Sequence, residues 1–348
     1  QDIRRFTPLM MTCLEGHKEV MQLMLDAKCN VNMVAYNKRT ALHYAAEQGF
    51  SHCCQILIES GACTETFDSD KCTPVMIAAW KGHLETLELF IGYRANLNHW
   101  SRHGMSILHL AVEGGSIECC DLLMKHGLSL DIRSCEGVTP LISAIRFYRM
   151  SVIEYFLNQG CSLAMLPGDD VTALSEAVYR DIDTCIIEKM LSHGASPNVV
   201  DRFHTLPLWH AVDNGNLAVI KLLLLCNSDY SMLTESMLAP CSPCSPIAHS
   251  IHKENATLIH WFVAAYTEEA SSILRKSLFN SSLRLADISI VDLVVDLTVQ
   301  PQSLLRQCRR SIRKCLGSGA AVSHKVSKLN LPCLLYNYML FSDLDSPL

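Results

Sequence analysis

The sequence predicts an all-α repeat solenoid, built from stacked helix-turn-helix units joined by finger loops, that ends in a small helical module. Three observations predict it. A four-residue pattern returns at one fixed interval, first at Thr7 and then at Thr40, Thr73, Ser106, Thr139 and Thr172. A glycine and an apolar triplet keep the same register behind it, and the net charge of −6 divides into a −13 body and a +7 tail. Fixed-period self-similarity of this length is the mark of a solenoid, in which each unit buries its apolar face only against its neighbours.

The quartets are Thr7-Pro8-Leu9-Met10, Thr40-Ala41-Leu42-His43, Thr73-Pro74-Val75-Met76, Ser106-Ile107-Leu108-His109, Thr139-Pro140-Leu141-Ile142 and Thr172-Ala173-Leu174-Ser175. Two further copies, Leu206-Pro207-Leu208-Trp209 and Ser245-Pro246-Ile247-Ala248, follow at longer intervals, the second clearly stretched. Thr or Ser at the first position caps a helix, and Pro at the second fits the first turn, where its missing N–H is not needed. Gly16, Gly49, Gly82, Gly115 and Gly215 share one place in their units and end the first helix. Glycine tolerates the left-handed conformation of such a stop. Tyr148, Asp181 and Glu254 hold that position elsewhere, so altered turns, and a change of curvature, are expected there. The second helix carries the triplet, as in Ile56-Leu57-Ile58, Leu89-Phe90-Ile91 and Tyr155-Phe156-Leu157. Helices this short are not stable alone, so stacking must supply the stability.

Beyond Trp261 the register fades, and Ser282-Leu283-Arg284-Leu285-Ala286 marks a degenerate ninth unit. The repeat domain is therefore assigned to residues 1–296 and the terminal module to 297–348. Between Leu297 and Ser342 there is no acidic residue, while Arg306, Arg309, Arg310, Arg313, Lys314, Lys325 and Lys328 bring seven positive charges. Leu304, Cys308 and Ile312, at i, i+4 and i+8, share one face of an amphipathic helix whose other side is cationic. The chain opens on Gln1 inside the pattern, so an upstream segment is expected. No apolar stretch approaches the ~20 residues of a membrane span, so a soluble protein is expected. The 17 cysteines are spread along a chain too long to need disulfides and read as reduced, mostly buried small hydrophobes.

The repeated pattern resembles the ankyrin repeat, whose consensus carries Thr-Pro-Leu-His, the helix-ending Gly, a Leu-rich second helix and a Gly-Ala matched by Gly61-Ala62 and Gly194-Ala195. The Ser303-to-Ile312 stretch resembles the first half of a SOCS box, and Leu329-Asn330-Leu331-Pro332, Leu335 and Tyr338-Met339 resemble the second half, with Asn330 where the box normally has proline. In this order the two modules resemble the ankyrin repeat and SOCS box family. The resemblance implies a non-catalytic substrate adaptor of a cullin-RING ubiquitin ligase. It assigns 301–316 to elongin binding, with Leu304 entering elongin C beside Cys308 and Ile312, and elongin B as the companion. It assigns 329–341, through Leu329, Leu331, Pro332, Leu335 and Tyr338, to cullin-5 and its RING partner. A cytoplasmic or nuclear location follows. Nucleic acid, membrane and cofactors are not implied. The alternative is an ankyrin scaffold whose basic tail anchors it to a membrane or partner without ligase recruitment.

Within the repeats, positions left free by the pattern hold large groups: Trp80, Lys81, Arg146, Phe147, Tyr179 and Arg180 near first-helix ends, and Trp100 and Phe203 in finger loops. Aromatics and Arg anchor interfaces, which suggests a substrate surface across repeats three to six, although such groups also fill gaps between imperfect repeats. His43 and His109 read as structural. Cys241, Cys244, His249 and His252 are zinc-capable, but their spacing matches no common finger, and an inserted loop explains the stretched interval before Ser245. No phosphate loop, nucleophile elbow or metal-hydrolase motif occurs, which argues against an enzyme.

Overall fold

The computed structural model describes residues 5–164, 171–201 and 205–226. It divides into two units, Gln1–Ser162 and Leu163–Leu348. In the first, helices come in pairs: α1 (Pro8–Glu15) and α2 (Lys18–Asp26), α3 (Ala41–Gln48) and α4 (Ser51–Glu59), α5 (Pro74–Lys81) and α6 (Leu84–Gly92), α7 (Ile107–Gly114) and α8 (Ile117–Lys125), α9 (Pro140–Arg146) and α10 (Met150–Asn158). The second holds α11 (Ala173–Tyr179) with α12 (Thr184–Ser192) and α13 (Pro207–Asn214) with α14 (Leu217–Leu225). First helices pack in a row, α1 on α3, α3 on α5, α5 on α7, α7 on α9, and separately α11 on α13. Second helices form a parallel layer, α4 on α6, α6 on α8, α8 on α10, and separately α12 on α14.

The register of the sequence is the register of the core. Leu42, Leu108 and Leu208 are fully buried, as are Leu57, Phe90, Leu123, Phe156 and Leu223 at the centre of the apolar triplets. Each such side chain contributes about 1.5–3 kcal/mol on leaving water, which outweighs the poor intrinsic stability of helices only two turns or so long. On α1 and α2, Met11 and Val20 are 45% and 43% exposed, whereas their counterparts one and two repeats on, Tyr44, Ile77, Cys53 and Thr86, are buried.

The caps differ from one another. Thr7, Thr139 and Thr172 accept from the backbone N–H three residues on, at 3.2, 3.4 and 3.0 Å. Thr40 and Ser106 engage a histidine as well, while the Thr73 hydroxyl is buried without a partner.

The altered turns expected at Tyr148 and Asp181 amount to α9 and α11 ending one residue earlier than the glycine-ended first helices, and the left-handed stop itself is kept. Both residues take the left-handed conformation, φ 54° and 52°, that Gly49, Gly82 and Gly115 take at 75° to 86°. The Arg149 N–H reaches the Ala144 carbonyl and the Ile182 N–H the Ala177 carbonyl, the same closing bond that Phe50 makes to Ala45. Packing on the neighbouring repeats imposes the turn, and a strain of about 1 kcal/mol at each non-glycine residue is smaller than the burial it permits. Glu254 lies outside the described residues, as does the degenerate ninth unit.

Candidate functional site

The first unit presents two rows of side chains along the stack, one at the ends of the first helices and one on the finger loops. The loops are held in place by the histidines of the quartets. His43 Nδ1 faces the Thr40 N–H at 3.1 Å and its hydroxyl at 2.9 Å, which leaves Nε2–H to donate to the Cys72 carbonyl of the next loop at 3.3 Å. His109 repeats the arrangement with Ser106 and with the Val138 carbonyl at 2.9 Å. Burial pushes the His43 imidazole down to about 4 and lowers that of His109, so both are neutral at physiological pH. These histidines are structural, bridging one repeat to the next.

Successive loops are also tied side by side. The Ser69 N–H donates to the Asn37 carbonyl, Arg102 N–H to Asp70 and Cys135 N–H to Gly104. Asp68, nearly buried, accepts from the backbone of Asp70 and Cys72 at 2.9 Å each and from Arg39 Nε at 3.2 Å. A second set of links, unmarked by the consensus reading, joins three of the neighbouring repeat pairs behind the loops. Asn32 accepts from the Cys63 N–H, Glu65 from the Asn96 N–H and Asp131 from the Ser162 N–H, at 2.9 to 3.1 Å.

At the helix ends, Arg39 donates to Glu47 at 2.7 Å, and Lys81 Nζ lies 3.5 Å from the other Glu47 oxygen while sitting 4.3 Å from the Trp80 ring centroid. Trp80 hydrogen-bonds Glu113 in turn. Burial raises the Glu113 carboxyl, and the Trp80 bond and the Arg149 guanidinium counter that rise without cancelling it. Arg149 spends its guanidinium on the Glu113 carbonyl, at 2.9 and 2.7 Å, as His83 does its ring N–H on the Glu47 carbonyl. Gly114 allows the close approach of α7 to α5, since a Cβ there would run into the Trp80 carbonyl oxygen. Trp80 and Lys81 are thus parts of an alternating charged ladder between repeats.

The finger row is different. Trp100 is 42% exposed, and the positions one and two repeats before it, Phe67 and Val34, are 44% and 42% exposed. Phe67 meets His99 of the next loop edge-on at 5.0 Å, and His99 is held by Glu65 at 2.8 Å. Phe67 and Val34 were not singled out from sequence; their spacing from Trp100 by whole repeats was the signal that could have found them.

Of the other residues expected at a substrate surface, Arg146 and Phe147 lie at the end of α9 in the first unit, Phe147 exposed. Tyr179 and Arg180 belong to the second unit. Tyr179 is exposed and packs edge-on against His210 at 5.3 Å, and Arg180 donates to Glu176. His210 is anchored by Asp201 at 2.8 Å, which also takes the Thr205 hydroxyl. Burial alone would raise Asp201, but the His210 and Thr205 bonds hold its carboxyl below the usual range. Phe203, the candidate zinc ligands Cys241, Cys244, His249 and His252, the elongin positions Leu304, Cys308 and Ile312, and the cullin positions Leu329, Leu331, Pro332, Leu335 and Tyr338 lie outside the described residues. Among the described residues no group of three or more metal-capable side chains converges, and no helix is long and apolar enough to cross a membrane. Burial holds thiols protonated, with the buried Cys13 and Cys120 and the half-buried Cys72 pushed up to about 12.

Paired short helices, a left-handed stop once per repeat and tied finger loops define an ankyrin-repeat protein. Family comparison agrees: ankyrin repeats match in three copies over residues 1–68 and 75–166, and a SOCS box matches over residues 300–340. The chain belongs to the ankyrin repeat and SOCS box family.

Among solved structures, the crystal structure of the human ASB11 ankyrin repeat domain shares the fold, with TM-score 0.54 and 24% identity over 58% of this chain and 90% of that one. Similar curated proteins include the E3 ubiquitin-protein ligase XBAT33 of Arabidopsis thaliana, 33% identical over 34% of this chain and 22% of its own length. The tyrosine-protein kinase HTK16 of Hydra vulgaris is 32% identical over 44% of this chain and 21% of its own. The chain spans about a fifth of the length of these relatives. A ligase and a kinase both match part of this chain, so that similarity reports shared repeats and carries no reaction with it.

Proposed function

We propose that this chain is the substrate-recognition subunit of an elongin-cullin-SOCS-box RING ubiquitin ligase. The observation that carries the reading is the order of the modules: ankyrin repeats, then a SOCS box over residues 300–340. The ankyrin stack holds a target protein. Leu304, Cys308 and Ile312 dock on elongin C with elongin B, and Leu329, Leu331, Pro332, Leu335 and Tyr338 recruit cullin-5 with its RING partner. The chain performs no covalent step. Its contribution is proximity, holding a substrate lysine near the charged ubiquitin thioester, an effect that reaches ~7–11 kcal/mol in ideal geometry. Free thiols at every described cysteine fit the reducing cytoplasm or nucleus in which we place it.

Co-purification tests the reading. Wild type is expected to recover elongins B and C and cullin-5, and Leu304→Asp to lose all three while the repeats stay folded by circular dichroism. A wild-type chain that recovers no elongin, or a Leu304→Asp chain that recovers as much, would leave the scaffold with a basic anchor as the function. Asn330→Pro is expected to strengthen cullin recovery without changing that of elongin.

A further inference from the structure

The stack holds a target through some part of its surface, and the two rows of the first unit differ in what they have left to offer. In the helix-end ladder, Arg39, Glu47, Lys81, Trp80 and Glu113 already engage one another. On the fingers, Val34, Phe67 and Trp100 stand exposed at one repeat's spacing. A few residues along the same loops, Lys38, Lys71 and Arg102 are exposed and form no ion pair with another described residue. The Trp100 indole N–H has no acceptor among the described residues. The row therefore combines apolar knobs at a fixed pitch with unused donors and positive charge.

The pitch selects the occupant. Adjacent helices pack about 8–10 Å apart, so the knobs recur at that interval. A β-strand repeats a face every second residue, at about 6.6 or 13 Å, and misses the pitch. An α-helix repeats at i+7, about 10.5 Å, and its carbonyls are already used internally. A polyproline-II segment repeats a face every third residue, about 9.3 Å, and leaves every carbonyl free to accept. Apolar side chains at every third position would pack between Val34, Phe67 and Trp100, while the carbonyls and flanking carboxylates meet the Trp100 N–H and the three cations. Aromatic-lined surfaces with indole donors are suited to this mode.

We infer that the finger row Val34–Phe67–Trp100 is a docking strip for an extended, polyproline-II-like acidic segment of the substrate, with apolar residues or prolines at i, i+3 and i+6. It rests on the reading of the stack as a substrate receptor but uses no residue of the SOCS box.

Selection of a displayed library of random 14-residue peptides against the full chain tests it, followed by fluorescence-anisotropy titration of the enriched peptides. The expected winners are net negative with a three-residue apolar or proline period. Their affinity should fall about ten-fold or more in the Phe67→Ala/Trp100→Ala chain. Lys38→Glu/Lys71→Glu should also weaken them and flatten the salt dependence. Winners that are basic or repeat at i+4 and i+7, absence of any enriched peptide, or affinity unchanged in the Phe67/Trp100 chain would each overturn the inference. Elongin recovery by the wild-type chain separates the two readings. Failed peptide selection with intact elongin recovery sinks only the strip, and absent elongin with intact peptide binding sinks only the ligase.

Discussion

The two rows of the first unit come from the same repeats yet have opposite fates. At the helix ends, charged groups look outward in the sequence pattern but are engaged in the structure: Arg39 pairs with Glu47 of its own repeat, while Lys81 reaches Glu47 and Arg149 the Glu113 carbonyl of the preceding repeat. On the fingers, apolar groups that a core would absorb stay in water. A large side chain at a position free in the consensus is therefore not yet a binding residue. What separates the rows is whether the next repeat supplies a partner, and that distinction is measurable as stability.

The largest effect should come from the loop anchor. Asp68→Ala removes a buried carboxylate that holds two backbone N–H groups and Arg39, and should cost about 3 kcal/mol in urea unfolding. A loss below about 1 kcal/mol would mean that the fingers hold themselves up.

Acid should act next and on the histidine links. The unfolded chain takes up protons at its histidines near pH 6.5, while folded His43 resists protonation down to about 4. Stability should fall as the pH drops through that window, by on the order of 3 kcal/mol for His43, with His109 adding to it. Unfolding curves that coincide at pH 7 and 4.5 would contradict the neutral Nε2–H assignment. Asp201 acts in a different range: with its carboxyl depressed in the fold, its contribution persists above the ordinary carboxylate value and is lost only as the pH falls further.

Gly114→Ala should cost about 2 kcal/mol, because the new methyl meets the Trp80 carbonyl and must push α7 off α5. A Trp80 emission spectrum unchanged in this variant would show that the ladder does not depend on the close approach. Thr73→Val should be a gain of about 1 kcal/mol, since the hydroxyl it removes is buried without a partner. The smallest effect should be at the fingers. Phe67→Ala and Trp100→Ala should each change the unfolding free energy by less than about 1 kcal/mol, as exposed positions do. A larger loss would move the finger row into the same structural class as the ladder.

Much of this was legible in the residues, for a reason the repeats make plain. The units draw on a common set of local signals, a capping Thr or Ser, a first-turn Pro in some of them and an apolar triplet whose middle residue is fully buried in most described units, and repetition lets each signal vouch for the others. Trp80, Lys81 and Trp100 were visible as unusual, but their roles were not. Nothing in the order of residues says that Lys81 will lie over its own neighbour Trp80 and reach Glu47, or that Phe67 will remain exposed one repeat before Trp100. The turns at Tyr148 and Asp181 keep the left-handed stop for a related reason: local propensity speaks for glycine, and stacking energy overrules it.

By itself, then, the sequence determined the period, the helix pairs, the family and the division into an acidic repeat array and a basic SOCS box, because all of these rest on local pattern and composition. The tertiary structure decided which outward residues are spent within the stack and which are free for a partner. That outcome depends on contacts between residues some 29 to 36 positions apart, where the geometry of stacking, and not the identity of either residue, sets who meets whom.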